Sequence, residues 1–347
     1  MLSSVKLNER NMNLSVLTPH LLHQFKSEHD LIKAIEELSV KFTQDRNRIS
    51  DYLKDERLTS AYVAFYFTTN LPKLQAVMEW LPKDWKERVK SSALIDVGSG
   101  PGTFSVAFRE WVNAPVSLKM IETSQVMQKQ AKKIFDGLYA EENLENGFSE
   151  KEKFMLFGHS ANEMGPDAAL KYVSQYDPQD ILFIEPGTKD FFPKMLKIRE
   201  ALIKKGYSVI FPCPLQTKCP LENSTEDWCH QFIKVSHSVD VERLTQLVKK
   251  DRRNMPLTVF GFSKTPVKNP SSRILRILPE TKFSFEWDVC HLNQAQHYQL
   301  MKKSLSKNTL KDLSSIKAGD TLNFKVVSEH QDYKRVTIDN IDNDPIL

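Results

Sequence analysis

The stretch LIDVGSGPGTF, residues 94–104, constrains this chain more than any other. An apolar run, ALIDV, passes without a spacer into Gly98, Gly100 and Gly102. A run of glycines at alternate positions lets backbone approach a bound molecule and presents N–H groups at the start of the next helix. The stretch therefore predicts a strand, a tight ligand-facing turn and a helix. The other readings of the glycines are a tight turn with no ligand and an NAD-binding turn. The Pro101-Gly102 ending departs from the dinucleotide fingerprint G-x-G-x-x-G.

Further apolar runs follow at intervals: PVSLKMIET, EKFMLFGHS, QDILFIEPG and GYSVIFP, with helical patterns between them. MLKIREALIKK, stopped by Gly206, is the clearest of these helices. The alternation predicts an α/β fold with a parallel, doubly wound sheet. FIKVSH and LTVFGFSKT, flanking the helical pattern VERLTQLVKKD, add two candidate strands. Before the sheet, residues 1–90 carry apolar residues at three- and four-residue spacings and are expected to be helical. After it, RILRILPE, FSFEWDVCH, QHYQLMKK, DTLNFKVVSE and KRVTIDNI predict a small β-rich module, such as a five-stranded barrel of the OB type. The organisation expected is thus a helical region 1–90, a Rossmann-like domain 91–265 with a cysteine-rich loop 212–230, and a β-rich module 266–347.

At 347 residues the chain has room for two or three such units. A formal net charge of +4 permits a nucleic-acid partner without demanding one. No apolar run approaches the ~20 residues of a membrane helix. The N-terminal segment lacks a secretory layout, although Lys6 and Arg10 leave a mitochondrial presequence open. The setting expected is the reducing bacterial cytoplasm, with the mitochondrial matrix as alternative.

The turn, with Asp96 ahead of its GxGxG, resembles the first motif of class I S-adenosylmethionine (SAM) methyltransferases. That resemblance implies that Gly98, Gly100 and Gly102 make room for the cofactor and that Asp96 faces its cationic end. Glu122, twenty residues after Gly102, ends the next strand and is placed to accept from both ribose hydroxyls. The strand FMLFGHSANE ends at Ser160 and Asn162, where adenine contacts are expected. Glu185, in the run IEPGT, is the candidate acceptor-site base; its other reading is a turn cap. No Asn-Pro-Pro-Tyr stands there.

Four cysteines occur in the whole chain: Cys213, Cys219, Cys229 and Cys290, spaced C-x5-C-x9-C-x60-C. In a reducing compartment such a set points to metal binding or chemistry before disulfides. Paired C-x2-C knuckles, the usual sign of structural zinc, are missing. Four thiolates meet the need of a 4Fe–4S cluster, and Cys213 and Cys219 each precede a proline. Zinc and ordinary thiols remain alternatives. His230 and His291 each adjoin a cysteine and are candidate substitute ligands or simple surface histidines. The pattern has no C-x3-C-x2-C, which speaks against radical SAM chemistry.

The combination of DVGSGPGT, EPGT, PCPLQTKCPL with EDWCH, and a late Cys-His pair is similar to the methyltransferase-like assembly factors of the small ribosomal subunit, over roughly residues 58–320. The resemblance implies a SAM-binding fold and a 4Fe–4S cluster on Cys213, Cys219, Cys229 and Cys290. It also implies contact with small-subunit rRNA and proteins, no membrane, and a monomer away from the ribosome. Methyltransferase activity follows from the fold only and is open for this family. Basic residues offered to RNA phosphates are Lys249, Lys250, Arg252 and Arg253, with Arg273, Arg276, Lys302 and Lys303 in the β-rich module. A solvated charged face is the alternative reading of these residues. The competing functions are thus an assembly factor, an active rRNA methyltransferase, and a zinc-binding methyltransferase of another substrate class.

Overall fold

The computed structural model describes residues 13–43, 55–139, 153–213, 216–266, 272–291 and 294–338. The presequence residues Lys6 and Arg10, Pro214 after the first cysteine, and the chain beyond 338 lie outside them.

The glycine turn is preceded by β1 (Ala93–Val97), every residue of which is buried. Strands β2 (Leu118–Ile121) and β3 (Lys153–Gly158) flank β1, both parallel to it. They are followed in the chain by β4 (Asp180–Pro186), β5 (Ser208–Phe211), the short β6 (Gln231–Lys234) and β7 (Asn254–Ser263). The sheet order is β2-β1-β3-β4-β7-β5, with β6 pairing β7. This is the mixed α/β sheet of class I SAM methyltransferases. The sequence pattern leaves the direction of the added strand LTVFGFSKT open, and the structure decides it: β7 runs antiparallel to β4 and β5. Its composition shows a buried strand but not its direction. It is inserted between β4 and β5 after a long excursion through the cysteine loop and a helix.

Two compact units partition the chain, and neither is continuous in sequence. The first comprises Met1–Glu79, Glu87–Ala161 and Ile233–Met255. Its helices include α1 (Glu28–Thr43), α2 (Glu56–Tyr62) and α3 (Thr68–Met78); a π turn over Val63–Phe67 joins α2 to α3. Helices form where the sequence pattern placed them, and Asp55 caps α2 by accepting from the Arg57 and Leu58 N–H groups. Ile35, Leu38, Ala61, Phe65 and Met127 meet in one apolar cluster of this unit.

The second unit, Trp80–Lys86, Asn162–Phe232 and Pro256–Leu347, holds the β-rich module. All five strands expected there form: β8 (Ser272–Ile277), β9 (Ser284–His291), β10 (Gln294–Met301), β11 (Phe324–Glu329) and β12 (Lys334–Ile338). Their order is β11-β12-β10-β9-β8. β8, β9 and β10 form an antiparallel meander, and β12 returns parallel to β10. This is Greek-key-like five-strand connectivity, in an open path rather than a closed barrel among the described residues. Along β9 the period of two sends Phe285, Trp287 and Val289 into the module core. Cys290, one residue out of phase, points to the other face.

Candidate functional site

Two sets of candidate functional side chains stand in the structure, one in each unit. In the first unit β1 and β3 are neighbours, and β2 lies on the far side of β1. The chain reverses its direction of travel across the sheet between β1 and β3, which is where α/β sheets open a ligand crevice. The glycine turn sits at this end. Gly98, Gly100 and Gly102 all have positive φ, at 68°, 53° and 87°. The Gly98 and Ser99 N–H groups donate to the Ile121 carbonyl, fastening the turn to β2. A Cβ at Gly102 would sit 3.1 Å from the Phe135 ring, whereas one at Gly100 would meet no atom within 4 Å. The Gly100 face of the turn is therefore open to a bound molecule. Gly102 instead serves packing, leading directly into α5 (Thr103–Val112).

Glu122 joins this turn. Its carboxylate accepts the Gly100 N–H at 2.9 Å and the Thr123 and Ser124 N–H groups at 2.7 Å each. Glu122 and the turn, placed together by sequence reasoning, are in hydrogen-bond contact. Asp96 is buried and accepts from the Ser105 hydroxyl at 2.6 Å, tying β1 to α5. Burial raises its carboxyl to about 7, against the Ser105 bonds, and the nearby Glu122 charge adds to the rise. Ser160 donates to the Val97 carbonyl at 2.5 Å and so locks the end of β3 to the end of β1. It stands on the opposite side of β1 from Glu122.

Two residues missed by sequence reasoning lie beside Ser160. His159 adopts a left-handed φ of 60°, rare for a residue with a side chain. The buried Lys73 ammonium, on α3, donates to His159 Nε2 at 2.9 Å. Burial first, then the Lys73 and Arg252 charges, hold the imidazole neutral. Phe104 stacks on it at 5.9 Å, and this closeness requires Gly158: a Cβ there would fall 2.1 Å from the Phe104 ring. A histidine directly after a strand at the crevice end was the available signal; Lys73 had none, being one apolar-face interruption in a helix.

In the second unit, Asn162 and Glu185 are brought together. Glu185 is fully buried at the end of β4, and its carboxylate accepts the Asn162 N–H at 3.2 Å.

The four cysteines also belong to the second unit, and all four line one cavity with Arg199, Arg273, Thr217 and Phe260. Each is partly buried and none is in a disulfide. Cys213 follows β5, and Cys290 arrives from β9. Trp228 anchors the intervening loop by donating from Nε1 to the Gly187 carbonyl at 3.0 Å. Burial raises the Cys219 thiol to about 11 and the Cys290 thiol to about 12, helped by the charges of neighbouring cysteines. Cys229 moves the same way for the same reasons. A metal bound there would replace the protons of these thiols. Among the described residues no group of three or more His, Cys, Asp or Glu side chains is gathered closely enough for a single metal ion. As a donor set, four soft sulfurs lining one cavity are of the type that a thiolate-ligated metal group requires. Neither histidine joins this cavity. His230 stacks on Trp228 at 4.8 Å, and His291 Nδ1 lies 2.6 Å from the Tyr298 hydroxyl.

Some of the basic residues offered to RNA turn inward. Arg252 lies over the Tyr66 ring at 5.6 Å, and Arg273 is only 7% exposed. Arg276 pairs with Asp227 and Asp288, Arg253 with Asp251, and Lys302 with Glu280. Lys249 and Lys303 are exposed.

Comparison with known proteins gives a family and weak structural likenesses. The family model described as mitochondrial small ribosomal subunit Rsm22 matches residues 57–322. No curated protein matches the sequence. Among solved structures, magnesium protoporphyrin IX methyltransferase from Synechocystis PCC 6803 with bound SAM is 10% identical. The alignment covers 70% of this chain and all of that one, with a TM-score of 0.37. Thermoplasma acidophilum 1320 is 14% identical over 68% of this chain and 96% of that one, with a TM-score of 0.28. A SAM-dependent methyltransferase from Thiobacillus denitrificans, with S-adenosyl-L-homocysteine, is 13% identical over 56% and 96%, with a TM-score of 0.26.

Proposed function

The chain belongs to the family of the mitochondrial small ribosomal subunit protein Rsm22, and from that membership we propose that it is a SAM-binding, 4Fe–4S-bearing factor acting in assembly of the small ribosomal subunit. The observation that carries this reading is the convergence of Cys213, Cys219, Cys229 and Cys290 on one cavity. Cys290 is separated from the others by sixty residues of chain, and nothing in local structure requires it to meet them. Cluster ligation supplies the reason: it staples the loop after β5 to the β-rich module, and ligation energy becomes folding energy of the second unit. Zinc on the same sulfurs is the alternative. Proteins and RNA of the small subunit are the partners, the free chain is a monomer, and the family's name favours mitochondria over a bacterial cytoplasm.

In the first unit, Gly98 and Gly100 hold the cofactor against the turn, and Glu122 takes the ribose hydroxyls. When bound, SAM supplies an electrophilic methyl group. Asp96 acts behind the turn, fixing β1 to α5 through Ser105. Ser160, next to β1 and away from Glu122, belongs with the methionine end of the cofactor and not with adenine. Glu185 carries no evident base function: it is buried and held by the Asn162 N–H. These features favour a binding role for the SAM fold; an active rRNA methyltransferase is the second reading.

Anaerobic purification with a visible spectrum and iron and zinc analysis tests the first claim. Brown protein bleached by a reductant supports the cluster; colourless protein with about one zinc per chain overturns it. Methyl transfer from labelled SAM to immature small subunits, lost in Gly100→Asp, would establish the second reading.

A further inference from the structure

The cysteine cavity contains two guanidinium groups that the reading above leaves without a role. Arg199, on α8 (Phe192–Lys204), is 2% exposed, and Arg273, on β8, is 7% exposed. Both line the cavity. Arg199 donates from Nε to Cys213 Sγ at 3.3 Å and from its terminal nitrogen to the Thr217 carbonyl at 2.7 Å. Arg273 stands directly across from Cys290 in the β8–β9 register, so both side chains share one face of the sheet. It donates to the Gly319 carbonyl and lies over the Phe211 ring at 4.3 Å. Its Nε is buried and has no hydrogen-bond partner among the described residues.

Burying a guanidinium is costly unless an anion compensates it. The Thr217 and Gly319 carbonyls take donors from these groups and carry no opposite charge. Asp320 is the carboxylate that acts on Arg273, and its own side chain accepts the Lys317 N–H at 2.9 Å. A thiol adds no charge, whereas a thiolate does. A divalent ion, or a cubane core of equal charge, on four thiolates leaves a dianion, and the two guanidiniums in the cavity lining oppose that charge.

We propose that Arg199 and Arg273 are built-in counter-ions of the metal group, set beside its thiolates to offset the negative charge that ligation brings into the cavity. This rests on the reading that the cysteines hold a metal. Arginine suits the role because it stays protonated, donates in a plane and stacks on Phe211. Retention of metal, beyond ligation itself, then depends on two residues that never touch it.

The test uses full-length protein purified anaerobically as wild type, Arg199→Gln, Arg199→Lys, Arg273→Gln and Arg273→Lys. Metal and sulfide per chain and the rate of stripping by a chelator are measured, with far-UV circular dichroism as a check on folding. Each glutamine variant is expected to lose metal roughly tenfold faster than wild type, in the range of outer-shell effects on metal sites, and each lysine variant to recover part of the loss. If Arg273→Gln does not fold, the Arg199 pair decides. Glutamine variants that retain metal as wild type does would overturn the counter-ion assignment while leaving the metal reading intact. Wild-type protein without metal overturns the metal reading itself.

Discussion

The Gly100 N–H donates to the Glu122 carboxylate at 2.9 Å, joining two residues 22 positions apart at the end of the sheet. One bond thus ties the turn after β1 to the acid after β2. The same carboxylate accepts two further N–H groups from the start of the following segment, which leads into α6 (Gln125–Leu138). Glu122→Ala removes all three. Hydrogen bonds to a charged group contribute ~1.5–3 kcal/mol each, so melting should fall by several degrees. SAM affinity, read by calorimetry, should fall at least about tenfold. Unchanged affinity would remove Glu122 from the cofactor site.

Asp96 sets a pH dependence. Its carboxyl is raised from 3.8 to about 7, chiefly by burial. Between these values the folded chain keeps a proton that the unfolded chain has released. Stability therefore falls as pH rises from about 4 to about 7 and then levels off. Asp96→Asn should flatten that slope in thermal melts across the same range. A variant whose slope equals that of wild type would show that another group is responsible.

Gly158 is a packing glycine. A Cβ there would enter the Phe104 ring at 2.1 Å, and Phe104 is the ring stacked on His159. Gly158→Ala should cost ~1–3 kcal/mol by overpacking and weaken SAM binding together with it. Denaturant titration measures the first effect. No loss of stability would mean that Phe104 rotates away freely.

Trp228 holds the cysteine loop to the end of β4 through the Gly187 carbonyl. Trp228→Phe keeps an aromatic side chain, smaller by one ring, and removes the donor. Metal content should fall while cofactor binding in the first unit stays unchanged, as measured by iron analysis and calorimetry on one preparation. Full iron in this variant would show that the loop is placed by its ligands alone.

Cys213→Ser should lose both metal and binding to the small ribosomal subunit, followed by co-sedimentation with subunits. Full subunit binding without iron would separate the metal from the RNA-facing function.

The sequence by itself determined the elements and their chemistry. The glycine turn, the helix ending at Gly206, the five strands of the β-rich module and the sparing use of cysteine are local patterns, set by backbone freedom and by periods of two and 3.6 residues. Tertiary structure alone decided what these elements meet. The direction of β7 depends on where the preceding loop delivers the chain. The seat of Ser160 on the β1 side away from Glu122 depends on β3 crossing past β1 and not past β2. Arg252 and Arg273 read as basic surface in the sequence, yet both turn inward, because side-chain direction is fixed by packing and register and leaves no periodic trace. The partnership of Arg273 with Cys290 exists only because β8 pairs with β9 at that register; a slip of one residue in β8 would send Arg273 to the face away from Cys290.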